Sequence, residues 1–172
     1  MLRATAMNEK IVGTFISLGN SKNDFTRAIR LIELAEHLLP KPVIAQIGHT
    51  NYFSVYFHNV KFMSQREFIN NIFLSKVIIS HAGAGVIINC LKEKKRPIVI
   101  PRLSGLGEHI DDHQVNLANK MENAGLVYKA GDTDTLKRLL LDVEKENFEY
   151  ENNNKMSAIK MIEAEICAQI KL

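Results

Sequence analysis

The sequence predicts a single α/β domain: one doubly wound parallel sheet with helices on both faces. Two observations carry that expectation. Short β-branched runs alternate with segments of helical apolar spacing along most of the 172 residues, which is the order of a parallel sheet built from βαβ units. The strand-like runs also end on glycine-bearing or polar turns: Gly19-Asn20-Ser21, Gly48-His49-Thr50, His81-Ala82-Gly83-Ala84-Gly85, and the long loop Arg102–Gln114. In a parallel sheet these four turns meet at the carboxyl edge, near the switch point of the winding, where such folds bind ligands.

Element by element, residues 1–10 read as a lead-in. Ile11–Leu18 is the first strand, and Ser21 or Asp24 caps a helix carrying Phe25, Ile29, Ile32, Leu34, Ala35 and Leu38, which Pro40 and Pro42 end. Val43–Ile47 is a second strand and Val60–Phe62 a short third. Ser64 caps a helix through Phe68, Ile69, Ile72 and Phe73. The apolar run Lys76–Ile79 then stops at Ser80-His81-Ala82-Gly83-Ala84-Gly85 and a helix follows. Glycines at 83 and 85 permit unusual backbone conformations and close approach of a ligand, and a helix opening there aims unpaired N–H groups at the turn, as a phosphate would require. Pro97–Pro101 is another strand. The helix with Val115, Leu117, Ala118 and Met121 ends at Gly125, Leu126–Tyr128 is the last strand, and Asp132 or Asp134 opens a helix to about Lys145. After a polar break at Asn147–Asn154, Met156, Ile159, Ile162, Ile166 and Ile170 stripe a final helix. The expected organisation is therefore a lead-in (1–10), an α/β domain with its phosphate-suited turn (11–150) and a C-terminal helix (151–172) packing on the domain or on a partner.

Composition narrows the function. A hydrophobic fraction of 46%, a charged fraction of 24% and a net charge of +3 are those of a globular chain that suits an anionic ligand. Nucleic acid is not expected, because Trp is absent and no aromatic-plus-Arg platform is present. No apolar stretch reaches transmembrane length, and no signal-peptide core is seen at the N-terminus. Cys90 and Cys167, far apart in apolar contexts, read as buried thiols in a reducing cytoplasm. Lys94-Lys95-Arg96 reads as the solvated end of a helix. His109, Asp111, Asp112 and His113 have metal-ligand chemistry, but they lie in one loop without another ligand signal, so no metal is assigned.

The ordered motifs carry a resemblance. Ser80–Gly85, then Pro97–Arg102, then Gly107-Glu108-His109-Ile110-Asp111-Asp112-His113-Gln114 resemble the C-terminal domain of family 28 glycosyltransferases. Within that family they are most similar to the short PssE- and Alg13-like polysaccharide-biosynthesis subunits. Gly19, Phe25-Thr26-Arg27 and Gln46-Ile47-Gly48-His49 match earlier motifs of the group, and the likeness runs from about residue 11 to about 130. It implies a Rossmann-like fold equivalent to the donor-binding half of a GT-B enzyme, holding a UDP-sugar. It also implies that the other half, with the acceptor site and catalytic base, is a membrane-anchored PssD/Alg14-like subunit, so that this chain alone is inactive. The implied location is the cytoplasm, at the inner membrane face through that partner, and the implied task is sugar transfer to a lipid-linked acceptor for exopolysaccharide or capsule.

The donor-binding residues expected on this footing are Gly19, Asn20, His49, His81, Ala82, Gly83, Ala84, Gly85, Asn89, Arg102, Glu108, Asp112 and Gln114. Asp112 and Gln114 match positions that bind sugar hydroxyls. Asn89 stands where relatives carry a ribose-binding carboxylate, and it can bond a hydroxyl only without charge assistance. Arg102 lies beside the cleft or pairs with Glu108. Neither a metal nor another cofactor is expected, since backbone N–H groups and a helix dipole would stabilise the leaving diphosphate. Two other readings stay open: a non-catalytic regulatory partner of a membrane glycosyltransferase, and an unrelated nucleotide-binding doubly wound domain.

Overall fold

The computed structural model describes residues 12–143 and, beyond them, Lys160, Ile162 and Ala164. The 1–10 lead-in, Cys167 and most of the expected 151–172 helix lie outside the described residues. Six strands form one all-parallel sheet: β1 (Val12–Ser17), β2 (Val43–Gln46), β3 (His58–Val60), β4 (Ser75–His81), β5 (Ile98–Ile100) and β6 (Tyr128–Lys129). Their order across the sheet is β3-β2-β1-β4-β5-β6. The chain winds outward from β1 to β3, then returns to place β4 on the other side of β1. The switch point therefore falls between β1 and β4, with Ser17 opposite Ser80 in register.

Helices cover both faces. α1 (Thr26–Glu33) and α5 (Thr133–Val143) lie on one, where Phe25, Ile29 and Ile32 pack with Ile16, Ile79, Ile100, Leu136 and Leu140. α2 (Gln65–Leu74), α3 (Ala84–Lys92) and α4 (His113–Asn123) lie on the other. There Phe15, Ile72, Ile78, Val86 and Cys90 form one cluster, and Ile87, Leu91, Val99, Leu117 and Met121 form a second. Ile162 is helical and wholly buried in that second cluster, so this position of the final apolar stripe packs on its own domain. Every strand buried on both faces reads as an apolar run, which is why the central strands were legible.

Local chemistry sets the boundaries. Ser64 caps α2 as expected, its hydroxyl accepting from the Glu67 amide while the Glu67 carboxylate accepts from the Ser64 amide. The first helix is shorter than its apolar spacing implied: it ends at Glu33, and a 3₁₀ turn at Glu36–Leu38 leads into the proline-bracketed entry to β2. β3 pairs two residues earlier than expected, because register with β2 sets Val60 against Gln46. Lys94-Lys95-Arg96 is not simply a solvated helix end. The Lys95 ammonium donates to the Phe73 and Ser75 carbonyls at the end of α2, and the Arg96 guanidinium lies 3.7 Å from the Tyr128 ring centroid.

Candidate functional site

A cleft of about 290 Å³ opens on the α2–α3 face at the carboxyl ends of β1, β2 and β4, beside the switch point. Ser17, Gly19 and Asn20 line it from the end of β1, Gln46 from β2 and His81 from β4. Met63, Gln65 and Phe68 come from the start of α2, and Gly85, Val86 and Asn89 from α3. No carboxylate, Lys or Arg side chain is among these residues. The polar lining is neutral amides, a hydroxyl and an imidazole.

The imidazole accounts for two glycines at once. A Cβ on Gly19 would lie 2.7 Å from His81 Cε1, and one on Gly83 would lie 2.3 Å from His81 Nε2. Gly19 also has φ +78°, a left-handed conformation that disfavours side chains. The His81 ring is thus clasped between the turns that end β1 and β4. Its Nδ1 lies 3.4 Å from the Ser17 carbonyl oxygen, which can only accept, so the contact requires the Nδ1–H tautomer. Burial holds the ring well below the ordinary imidazole value, at about 4, with the Ser17 bond opposing and the charge of Arg102 adding. At neutral pH the cleft meets an uncharged imidazole.

Gly83 owes its place to space, since a Cβ there would meet His81, whereas neither space nor unusual backbone demands Gly85. Gly83 is the N-cap of α3 at φ −85°, and neither residue has positive φ. Nothing beyond its own helix backbone would come within 4 Å of a Cβ on Gly85. Neither the backbone nor a protein neighbour excludes a side chain there. Being in the first turn of α3, the N–H groups of Ala84, Gly85 and Val86 have no intrahelical acceptor, and no side chain caps them. The positive end of the helix dipole faces the cleft with them.

The other expected residues divide. Asn20 and Asn89 line the cleft beside Gly19, His81 and Gly85. Ala82 is wholly buried in the second core cluster, against which Ala84 also packs. His49 is exposed and stacks edge-on against Phe62 at 5.1 Å, away from the cleft lining. Asp112 is exposed ahead of α4, where the Ser104 hydroxyl and amide both donate to it and hold its carboxyl below the usual range. The Gln114 carbonyl oxygen accepts from the Arg102 amide at 3.2 Å.

Arg102 and Glu108, both expected near the donor, are engaged by protein partners and do not line the cleft. Arg102 is 1% exposed. Its guanidinium donates to the carbonyls of Leu18, Asn23 and Glu108 and lies 4.3 Å from the Phe25 ring centroid. It ties the turn after β1 to the loop after β5. It does not take the Glu108 carboxylate. That group is held by Arg27 in a two-pronged pair, both contacts 2.8 Å, and accepts from the Leu103 amide. His109 and His113 both turn to Asp111, at 3.0 and 3.3 Å. Among the described residues, no three His, Cys, Asp or Glu side chains are grouped to hold a metal. Cys90 is buried in the apolar core, which pushes its thiol up to about 12.

The profile of the glycosyltransferase family 28 C-terminal domain matches residues 23–170. The chain belongs to this family. Solved structures share its fold. The glycosyltransferase of kitacinnamycin aligns with a TM-score of 0.62 at 15% identity, over 92% of this chain and 41% of that one. CalG4, the calicheamicin glycosyltransferase, aligns at 0.55 and 9% over 92% and 40%. SnogD from Streptomyces nogalater aligns at 0.52 and 13% over 90% and 44%. At these identities the likeness is one of fold, and the family 28 domain here spans about two fifths of the length of those enzymes. No curated protein matches the sequence significantly. The Rossmann-like, GT-B-type architecture expected from the motifs is the one observed. No helix among the described residues is long and apolar enough to cross a membrane.

Proposed function

We propose that this chain is the donor-binding half of an inverting glycosyltransferase and that the β1–β4 cleft holds a UDP-sugar. One observation carries the reading: α3 opens into the cleft with uncapped N–H groups, over a glycine that neither conformation nor packing demands. A diphosphate drawn up to Gly85 supplies both the missing acceptors and the reason for the missing side chain. The neutral lining agrees, because no carboxylate stands there to repel an anion.

In transfer, the amides of Ala84, Gly85 and Val86 and the dipole of α3 stabilise the charge that grows on the leaving diphosphate. No metal is needed for that step. Asn89 lies in the cleft five residues into α3, within the lining that a ribose hydroxyl would reach. Asp112 and Gln114 stand ahead of and within the first turn of α4, as candidates for the sugar end of the donor. The acceptor site and catalytic base belong to a second, membrane-anchored subunit of PssD/Alg14 type. That places the chain at the cytoplasmic membrane face, acting on a lipid-linked acceptor in surface-polysaccharide synthesis like the PssE/Alg13-like subunits.

Calorimetric titration with UDP and several UDP-sugars, with magnesium and with a chelator, tests this. Expected is binding indifferent to magnesium, with one UDP-sugar preferred. No binding by the chain alone, nor with its co-expressed membrane partner, would refute the donor-site reading and leave a regulatory partner. Robust sugar transfer by the isolated chain would refute the division between two subunits.

A further inference from the structure

The buried amide of Gln46, only 3% exposed at the end of β2, was not among the residues expected to bind donor, yet it organises one wall of the cleft. Its Oε1 accepts from the Ser17 hydroxyl at 2.9 Å. Its Nε2 faces three oxygens: Asn20 Oδ1 at 3.0 Å, and the main-chain carbonyls of Gly19 and Lys61, each at 3.4 Å. The two main-chain oxygens can only accept. They fix which end of the Gln46 amide faces that side, since the reverse orientation would set a carbonyl against carbonyls. Asn20, exposed on the cleft wall, must then offer Gln46 its own oxygen. Its two N–H bonds have no partner among the described residues.

We infer that Gln46 is a positioning residue: it fixes the polarity of Asn20 so that Asn20 presents N–H donors, not its carbonyl, to a diphosphate at the α3 N-terminus. The inference rests on the donor-site reading above and adds a second donor wall opposite the α3 amides. A ligand anion there is held between two sets of neutral donors.

The test uses Gln46→Glu. The carboxyl group that this substitution introduces, when protonated, copies the Gln46 pattern, accepting from Ser17 and donating to Asn20. Ionised, it has no proton to give and would turn the Asn20 amide around. Burial raises a carboxyl above its ordinary value of about 4.3, so the switch falls between about pH 5 and 8. His81, the one titratable side chain lining the cleft, stays neutral over that range. UDP-glucose is the probe, because its diphosphate does not titrate there. Wild-type affinity is expected to be flat across the same range. Gln46→Glu should bind within about threefold of wild type at about pH 5 and lose about tenfold or more at about pH 8, the value of hydrogen bonds to a charged group.

In an Asn20→Ala background the pH-dependent loss should shrink to less than half on a logarithmic scale, because the residue through which Gln46 acts is gone. Asn20→Asp is the second variant, at an exposed position that does not threaten folding. It keeps the acceptor for Gln46 but replaces the donors with oxygen, and should also lose about tenfold or more. A pH-independent Gln46→Glu, an undiminished loss in the Asn20→Ala background, or wild-type binding by Asn20→Asp would overturn the inference while wild-type affinity stands. Absence of binding by the wild type at both pH values, to UDP-glucose, to UDP and to the other UDP-sugars, alone and with its co-expressed partner, would remove the donor site itself and the inference with it.

Discussion

Gly85→Ala separates a ligand site from a structural turn, because the two readings predict opposite signs. The residue is helical, has no positive φ, and nothing beyond its own helix backbone would come within 4 Å of a Cβ there. Alanine in that position removes backbone entropy from the unfolded chain and strains nothing, so the domain should gain about 0.5–1 kcal/mol. For a chain of this size that raises the thermal midpoint by about 1–4 °C. The same methyl would stand between the first-turn amides of α3 and a phosphate. Losing hydrogen bonds to a charged group costs about 1.5–3 kcal/mol, so UDP-sugar affinity should fall about ten- to a hundredfold.

Gly83→Ala is the contrast. Its Cβ would meet His81 Nε2 at 2.3 Å and Cδ2 at 2.9 Å, an overpacking that costs about 1–3 kcal/mol. Pairing it with His81→Ala should recover most of that loss. Calorimetric titration and thermal denaturation of the same preparations read both quantities. A Gly85→Ala protein that is more stable and binds UDP-sugar normally would show that no diphosphate lies against α3.

His81 should make stability depend on pH. Its folded value of about 4 lies below the ordinary 6.5, so the unfolded chain binds the extra proton. Stability is then complete above about pH 6.5 and falls by up to about 3 kcal/mol as pH drops toward about 4, a slope that His81→Gln should remove in urea denaturation. Arg27→Met strands the Glu108 carboxylate, 5% exposed, and should cost about 3 kcal/mol by the same assay, with a loss under about 1 kcal/mol counting against a buried pair. Asn89→Ala should weaken UDP-sugar binding about fivefold, as for one neutral hydrogen bond. Asn89→Glu should strengthen it by adding charge assistance, and calorimetry in which neither variant moves would place the ribose elsewhere.

The sheet was legible because its strands are buried on both faces and so read as β-branched runs ended by turn residues. The positions of the turns then located the cleft, since a parallel sheet collects them at one edge. What the sequence concealed were groups whose partners are main-chain atoms. Arg102 read as a cation beside the cleft or paired with Glu108. The oxygens that occupy it come from residues 18, 23 and 108, and no residue type marks a position whose carbonyl will be left unpaired. Gln46 was visible as part of a motif, but its role depends on the carbonyls of Gly19 and Lys61. Gln65 and Phe68 were missed for another reason. They open the helix that precedes β4, and only the return of the chain across the sheet carries that helix to the rim of the cleft.

These buried contacts also explain why the charges named in the motifs do not line the cleft. Arg27, Glu108 and Arg102 lock α1 and the turn after β1 to the loop after β5. Asn23 adds a bond from its side-chain amide to the Gly107 carbonyl. Through Leu18, that network holds the turn bearing Gly19 and Asn20, and through His81 the same turn is clasped to the start of α3. The charged residues therefore brace the turn that carries Gly19 and Asn20 on the cleft. A phosphate held by N–H groups alone can leave with its negative charge once the sugar is gone, whereas an arginine in the cleft would bind the departing nucleotide more tightly. On that argument the neutral cleft suits the proposed donor site, which would have to release its nucleotide after each transfer.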